Sequence, residues 1–376
     1  MYGAIEAGRN PATGWNEDLD AALAKIPNLP AVYAIWPREG EPMLSRTDRL
    51  RTRLVRLLRT RDHPSRLLNL RDSAARIEYW LTGSSFESSV RLHDLMRGHF
   101  PDSYLARLKL RMPPYVKIVL RNRFPRSMVT SQVGFASAVY FGPFRSRAGA
   151  ERFESEFLDL FQIRRCQEDL DPSPEHPGCM YGEMGMCLRP CQELVGTEEY
   201  GYEVARVTEF LSTGGRSLLA TISRARDLLS EEMNFEEAAR QHKRLEKVRQ
   251  ALGLRDELAY SVDHLHGAAV TRGESPGTVL LWPFHRGFRQ EPLRLEFELT
   301  GEKAVSLDRK LRELLSGHQP SVHTAAERQE QLAILSRWFY SSWRDGEFLR
   351  WERFENPPYR RLAGAVSRVA SLPKAR

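Results

Sequence analysis

The strongest periodic pattern in the chain lies between residues 216 and 252, where apolar positions recur at intervals of three and four. This spacing places the apolar side chains on one face of each of two helices. They are Leu218, Leu219, Ile222, Ala225 and Leu229 in the first series, and Ala238, Leu245 and Val248 in the second. Asn234 lies between the two series and is a typical N-cap residue. The pattern predicts an antiparallel helical hairpin with Phe235 at its tip.

Shorter apolar runs predict strands and helices in the rest of the chain. Strands are expected at 31–36, 76–81, 115–120, 138–141, 268–271, 278–282 and 293–299. Helices are expected at 47–59, 86–99, 147–161, 197–211, 303–315 and 325–343. We therefore predict an α+β protein of several domains: a small α/β domain over 15–104, a mixed linker domain over 105–213, the hairpin over 216–252 and a small α+β domain over 255–376.

All four cysteines of the chain, Cys166, Cys179, Cys187 and Cys191, lie within 26 residues. Disulfides are disfavoured in a chain long enough to bury its own core. Zinc usually takes Cys-x-x-Cys knuckles, which are missing here, whereas irregular loop spacing suits the four corners of a [4Fe–4S] cube. Prolines and glycines recur throughout this loop, and we expect them to prevent helix and strand formation there. The spacing favours iron–sulfur but leaves zinc open.

The distribution of charge along the chain predicts an interface with a polyanion. The net charge is +7, and nine arginines lie between Arg46 and Arg71 against the two acids Asp48 and Asp62. Such clustering is typical of a surface that contacts nucleic acid, although a solvated helix face would look the same. The candidate DNA-binding residues are Arg46, Arg49, Arg51, Arg56 and Arg59.

Other features narrow the class of protein. No apolar stretch reaches the roughly 20 residues that a membrane span needs, and the first 20 residues do not resemble a secretory signal. We therefore expect a cytoplasmic protein without a membrane partner.

Near the end of the last long predicted helix, Trp338, Phe339, Tyr340 and Trp343 lie beside arginines. They could stack on bases, but at helical spacing a core role is favoured.

The order of these features resembles the UvrC family. Residues 114–118, 124–126 and 140–144 follow the family's order, and residues 161–166 enter the cysteine loop as the family does. Residues 186–191 look like the Cys-x3-Cys exit from that loop, and residues 233–239 are similar to the UVR hairpin signature. The resemblance is specific between residues 140 and 252 and weak before residue 110.

The resemblance implies a cofactor and partners. Family members carry a [4Fe–4S] cluster on four cysteines of this spacing, so Cys166, Cys179, Cys187 and Cys191 would be its ligands, with zinc the lesser possibility. The hairpin would dock on UvrB or another UVR-hairpin protein through Phe235, Glu236 and Ala239, unless it packs on its own chain. DNA is the expected substrate, in nucleotide excision repair. Recruitment to RNA or another assembly is a further alternative.

The resemblance also implies a GIY-YIG nuclease fold near the N-terminus, but its catalytic set is incomplete. Tyr33 and Arg53 match the first tyrosine and the arginine, whereas Met43–Ser45 replaces the second motif and Leu92 stands at the position of the metal-binding glutamate. Loss of that ligand removes charge neutralisation in the transition state. We expect a DNA-binding remnant without nuclease activity. The alternative is an active single-incision endonuclease with displaced ligands, which would need Mg2+ or Mn2+.

The region after the hairpin departs from the family pattern as well. Residues 267–299 contain four glutamates and no aspartate, and no Asp-bearing strand pattern is followed by Gly-rich hairpins. We therefore expect the second, RNase H-like nuclease and the helix–hairpin–helix repeats to be missing. The role of residues 255–376 is open.

Overall fold

The computed structural model describes residues 1–6, 19–59, 68–134, 137–296, 306–316, 321 and 324–371. The described residues form three antiparallel sheets with packed helices, which confirms the α+β prediction. Among these residues no helix is long and apolar enough to cross a membrane. The predicted ends of two elements, 303–305 and 297–299, lie outside the described residues.

A four-stranded sheet forms the first unit, with strand order β1-β4-β2-β3. Its elements are β1 (Tyr2–Glu6), α1 (Leu19–Lys25), β2 (Ala31–Pro37), β3 (Met43–Thr47), α2 (Leu50–Leu58), β4 (Ala74–Leu81), α3 (Ser85–His99) and α4 (Tyr104–Leu108). Alternate residues of β2 point to opposite faces of the sheet. Tyr33 and Ile35 pack with α1 and α2 on one face, whereas Ala34 packs with Met96 and Phe100 on the other.

The second unit joins a sheet of order β6-β5-β7-β8 to a helical bundle. Its elements are β5 (Tyr115–Val119), β6 (Arg126–Thr130), β7 (Ala138–Gly142), α5 (Arg147–Leu158), α6 (Met180–Glu183), α7 (Thr197–Thr213), α8 (Arg216–Glu231), α9 (Phe235–Gly253) and β8 (Tyr260–Ser261). One apolar core includes residues from the sheet, from α5 and α7, and from the base of the hairpin.

Two glycines turn the chain sharply between α7 and α8. Gly214 and Gly215 have φ angles of 62° and 86°, in the left-handed region that L-residues with a Cβ rarely adopt. A Cβ on Gly214 would lie 2.6 Å from the ring of Tyr260. The turn therefore needs glycine both for its backbone angles and for close packing, and it sets the direction in which the hairpin leaves the core.

A sheet with helices on both faces forms the third unit. Its elements are β9 (His266–Arg272), β10 (Thr278–His285), β11 (Phe288–Arg289), β12 (Leu293–Glu296), α10 (Leu307–Ser316), α11 (Ala325–Phe339), β13 (Gly346–Trp351) and α12 (Tyr359–Ser371). The central strands β10 and β9 pair antiparallel with each other, β13 joins the far edge of β9, and β11 and β12 both pair with β10. Helices α10 and α12 cover one face, and α11 covers the other.

Helix α3 lies between the first and third units. Its residues Leu92 and Leu95 pack towards the first sheet, whereas Phe86 and Val90 pack against Trp282 and α11 of the third unit. The two units therefore share this helix, and each covers a different side of it.

Polar contacts join the same two units. The Asp345 carboxylate accepts hydrogen bonds from the backbone N–H of Ser85, at 2.5 Å, and from its hydroxyl, at 2.7 Å. His93 and Glu330 form a buried pair at 2.9 Å. Buried polar groups of this kind cost free energy unless they are satisfied, so these contacts fix the orientation of α3.

Two sequence predictions need correction. The cysteine loop contains a one-turn helix, α6, and a short 3-10 helix at Pro190–Gln192. Gly178 and Gly185, both with positive φ, flank α6 rather than interrupt it. Helix α11 ends at Phe339 and not at 343, because the Ser341 hydroxyl donates to the Trp338 carbonyl and turns the chain.

Candidate functional site

The cysteine loop packs against the helical core through its second half. Cys187 and Cys191 are buried, Cys166 is half-buried and Cys179 is exposed at the start of α6. All four thiols are free. The loop closes on itself at Ser173, whose backbone N–H donates to the Cys191 carbonyl at 2.9 Å. The fold thus brings cysteines separated by up to 25 positions in sequence into one loop.

The four thiols are close enough to interact electrostatically. Burial raises the pKa of Cys187 to about 11, and the nearby Cys166, Cys179 and Cys191 add to that rise. Burial also raises the pKa of Cys191. Within the described ranges, however, no three or more His, Cys, Asp or Glu side chains are grouped tightly enough to hold a single metal ion. The electrostatic interaction places the four thiols in one region of the structure.

Two N–H donors point at the sulfur atoms. The buried Arg164 guanidinium donates to Cys166 Sγ at 3.4 Å and to the Glu168 carbonyl at 2.7 Å. The backbone N–H of Arg189 donates to Cys187 Sγ at 3.4 Å. Donors of this kind stabilise the negative charge of metal-bound thiolates and tune cluster potentials. At Cys187 the Arg189 N–H opposes the effect of burial, which by itself favours the neutral thiol.

The hairpin of α8 and α9 is anchored at its base and exposed at its tip. Ile222, Leu245 and Val248 are buried in the chain's own core, whereas Met233 and Phe235 are 77% and 66% exposed. The Asn234 side chain accepts from the backbone N–H of Glu237, which confirms the predicted N-cap. Isolated exposed apolar residues are common, but two within three positions at the tip of a hairpin offer a contact surface.

A shallow cleft runs between the two arms next to this tip. It has a volume of about 470 Å³ and is lined by Ala238, Ala239 and charged side chains of both helices. Glu236 is exposed in the first turn of α9. The three predicted docking residues Phe235, Glu236 and Ala239 therefore lie at one end of the hairpin.

Tyr33 and Arg53, which match two members of the nuclease's catalytic set, lie in contact. The Arg53 Nε donates to the Tyr33 hydroxyl at 3.1 Å. Tyr33 lies in β2 opposite Ser45 of β3, so the position of the second motif also adjoins Tyr33. Tyr33 itself is fully buried beneath α1 and α2. Two parts of the catalytic set are thus brought together.

The carboxylates of α3 do not join them. Leu92 packs in the cluster that contains Ala34 and Leu44, on the sheet face opposite Tyr33. Asp94 bonds to His93 at 3.1 Å and to Arg289 of the third unit at 3.3 Å. Between the described carboxylates and either Tyr33 or Arg53 there is no hydrogen bond or ion pair.

The second carboxylate of α3, Glu87, is buried on the side that faces the third unit. It accepts from the backbone N–H of Gly83 at 2.7 Å. Burial raises the pKa of Glu87 to about 7, and the neighbouring Glu274 adds to that rise. The sequence did not reveal this perturbed carboxylate, since Glu274 is almost 190 positions away.

The candidate DNA-binding arginines divide into two groups. Arg49, Arg51, Arg56 and Arg59 are exposed on and beside α2. Arg46 is different, because its guanidinium donates to the Ser89 hydroxyl at 2.6 Å and lies against α3. At about 100° per residue, Arg51 lies nearly opposite Arg49 and Arg56 around the helix, and its guanidinium donates to the Ala24 carbonyl at 3.1 Å. We call Arg49, Arg56 and Arg59 the α2 basic face.

Comparison with known proteins agrees with this arrangement. A family model described as the UvrC/Cho excinuclease middle domain matches residues 114–210, from β5 through the cysteine loop to α7. The UvrABC system protein C of Moorella thermoacetica is 28% identical over 290 residues, which are 77% of this chain. The same protein of Lachnospira eligens is 26% identical over 238 residues, or 62% of this chain. These matches support a relationship of the chain to the UvrC family.

The match is partial in length. The aligned regions span 47% of the Moorella protein and 39% of the Lachnospira protein, so the chain covers less than half of these UvrC relatives. No solved structure matches the chain.

Proposed function

We propose that this UvrC-related protein acts in nucleotide excision repair as a DNA-binding, UvrB-docking protein that holds a [4Fe–4S] cluster and does not cut DNA. The observation that carries the repair function is the match of the cysteine loop and its flanking elements to the UvrC middle domain. The α2 basic face supplies the DNA contact, since arginines release counterions from phosphates.

The donor set fits an iron–sulfur cluster. The four thiols lie near enough to interact electrostatically. Their spacing in sequence lacks the Cys-x-x-Cys knuckle typical of zinc, which favours a larger inorganic body. Cys166, Cys179, Cys187 and Cys191 would hold the cluster, and Arg164 and the Arg189 backbone would stabilise its sulfur ligands. The bound cluster would supply structural cross-linking and a redox-active centre.

Docking through the hairpin tip gives the first prediction. We expect Phe235→Ala to weaken capture of UvrB by about 30-fold, because a buried aromatic anchor of an interface contributes about 2 kcal/mol or more. Affinity is measured by titrating labelled UvrB with the full chain. The control is Tyr202→Ala on α7, a side chain that is also 66% exposed but lies away from the tip. Equal affinities for the two variants would rule out this docking surface.

The absence of incision gives the second prediction. Leu92 lies across the sheet from Tyr33, so the residues that could bind a cation do not surround the Tyr33–Arg53 pair. A damaged duplex incubated with the chain, UvrA, UvrB and Mg2+ or Mn2+ is therefore expected to stay uncut.

The variants Tyr33→Phe and Arg53→Ala test this expectation. Cutting that disappears in both would show an active nuclease and overturn the proposal. Cutting that survives in both points to a contaminating enzyme and leaves the prediction standing. The one feature that favours activity is the retained 3.1 Å contact between Arg53 and Tyr33.

A further inference from the structure

One aromatic side chain of the 338–343 segment is presented to solvent. Trp338 and Phe339 belong to the core beneath α3, as the helical spacing suggests. Trp343 is 42% exposed because α11 ends at Phe339 and the chain turns outward after it. A single exposed apolar residue is common, but tryptophan is enriched at interfaces, where its ring packs on a partner.

Arg46 of the first unit lies over this ring, and Arg337 and Arg344 of the third unit add positive charge to the same region. The Arg46 guanidinium carbon lies 5.6 Å from the centre of the Trp343 ring. Burial lowers the pKa of Arg46, and the charge of the nearby Arg337 lowers it further. Arg344 follows Trp343 directly and lies 4.7 Å from the ring centre of Phe339. The cluster therefore combines one exposed aromatic face with several positive charges.

The segment that carries Trp343 is held in place rather than loose. The Asp345 carboxylate accepts from the backbone and hydroxyl of Ser85 and from Trp338 Nε1, the last at 2.9 Å. On the opposite side, Arg46 is fixed by the Ser89 hydroxyl and the Ser85 carbonyl. These bonds hold the Asp345 carboxylate and the Arg46 side chain against α3, while part of the Trp343 ring stays exposed. A preorganised site loses less entropy on binding.

We propose that Trp343 and Arg46 form a stacking site for one unpaired base of a single-stranded nucleic acid, with Arg337 and Arg344 contacting the flanking phosphates. Aromatic rings interleaved with arginines bind single strands without sequence preference, because every base has a π-face. Charge complementarity favours this polyanion over an apolar peptide. The site rests on the proposed nucleic-acid function, but it is distinct from the α2 basic face.

Binding assays with the full chain test the site. The probes are oligo(dT) and oligo(rU) of about 12 nucleotides and a blunt-ended DNA duplex, each followed by fluorescence anisotropy. We expect Trp343→Ala to weaken oligonucleotide binding by roughly 10-fold, as loss of one stacked base does. Trp343→Phe should retain most of the affinity, and Tyr202→Ala should bind like the parent. Duplex binding should be unchanged in all three variants.

Each outcome decides a separate point. Unchanged oligonucleotide binding by Trp343→Ala, or an equal loss for oligonucleotide and duplex, would overturn the stacking site. If duplex binding is then still weakened by the double variant Arg56→Ala and Arg59→Ala, the proposed DNA-binding function survives. A parent chain that binds none of the probes would overturn both. The probe that loses affinity in Trp343→Ala shows whether the single strand is DNA or RNA.

Discussion

Replacement of Cys187 by serine is expected to abolish the brown colour of the anaerobically purified protein and to remove most of its iron. The parent should contain about four irons per chain, as a cubane on four thiolates requires. Cys187 is buried, so a serine there offers a weaker ligand and no room for a replacement from solvent. Iron analysis and the visible absorption spectrum provide the measurement.

The same variant should also be less stable. Metal–thiolate bonding is coupled to folding, and the loop around α6 has little apolar core of its own, since Met180 and Met184 are 63% and 64% exposed. We expect the Tm to fall by about 5–10 °C, given that ~1 kcal/mol shifts the Tm by about 2–4 °C in a domain of this size. Differential scanning fluorimetry under anaerobic conditions measures the shift.

A matched variant separates the cluster from the loop. Met184→Ser changes an exposed side chain in the same loop and should alter neither iron content nor Tm. A colourless parent with one zinc per chain would contradict the iron–sulfur assignment. Unchanged iron in Cys187→Ser would remove Cys187 from the ligand set.

Local sequence patterns predicted those parts of the site that are built from neighbouring residues. The hairpin could be predicted because its apolar positions repeat over 30 residues and Asn234 caps the second helix. Family order matched Tyr33 and Arg53 to the catalytic set, whereas their contact is seen only in the structure. The short edge strands β3 and β13 have five and six residues, too few to show a clear alternation, and neither was predicted.

Contacts between distant residues could not be predicted. Asp345 binds Ser85 across 260 positions, and Glu330 meets His93 across 237. No periodicity or motif links such pairs, because the pairing is decided by how whole units pack. The outward position of Trp343 depends on the same packing. Sequence therefore predicted the elements, but not that α3 is covered by the third unit.

The second large expected effect, a loss of stability, concerns the buried pair of His93 and Glu330. Glu330 accepts from the Tyr104 hydroxyl at 2.7 Å and lies 2.9 Å from His93 Nε2. Removal of one partner of a buried pair costs about 3–5 kcal/mol, since the other is left without compensation. We expect Glu330→Ala to lower the free energy of unfolding by this amount, and Glu330→Gln, which keeps an acceptor, to lower it less.

The loss of unfolding free energy in Glu330→Ala should depend on pH in a defined direction. Burial opposes a charge on His93, but hydrogen bonds to Asp94 and Glu330 outweigh it and raise the pKa of His93 above its usual 6.5. Burial likewise disfavours a charged Glu330, yet bonds from His93 and Tyr104 lower the pKa of Glu330 below 4.5. The stability that a raised histidine pKa contributes is complete below pH 6.5 and is lost as the pH rises through the pKa of the folded protein. The stability that a lowered carboxyl pKa contributes is complete above pH 4.5 and is lost as the pH falls through the pKa of the folded protein.

Urea unfolding of the parent and Glu330→Ala at several pH values therefore tests the pair. The difference between the two proteins should be largest between pH 4.5 and 6.5 and should shrink at more alkaline pH, where His93 loses its proton. Glu231→Ala, an exposed carboxylate at the end of α8, serves as the control and should unfold like the parent throughout. A difference that does not change with pH would mean that His93 is neutral in the folded protein. The pair would then join α3 to the third unit by neutral hydrogen bonds instead of an ion pair.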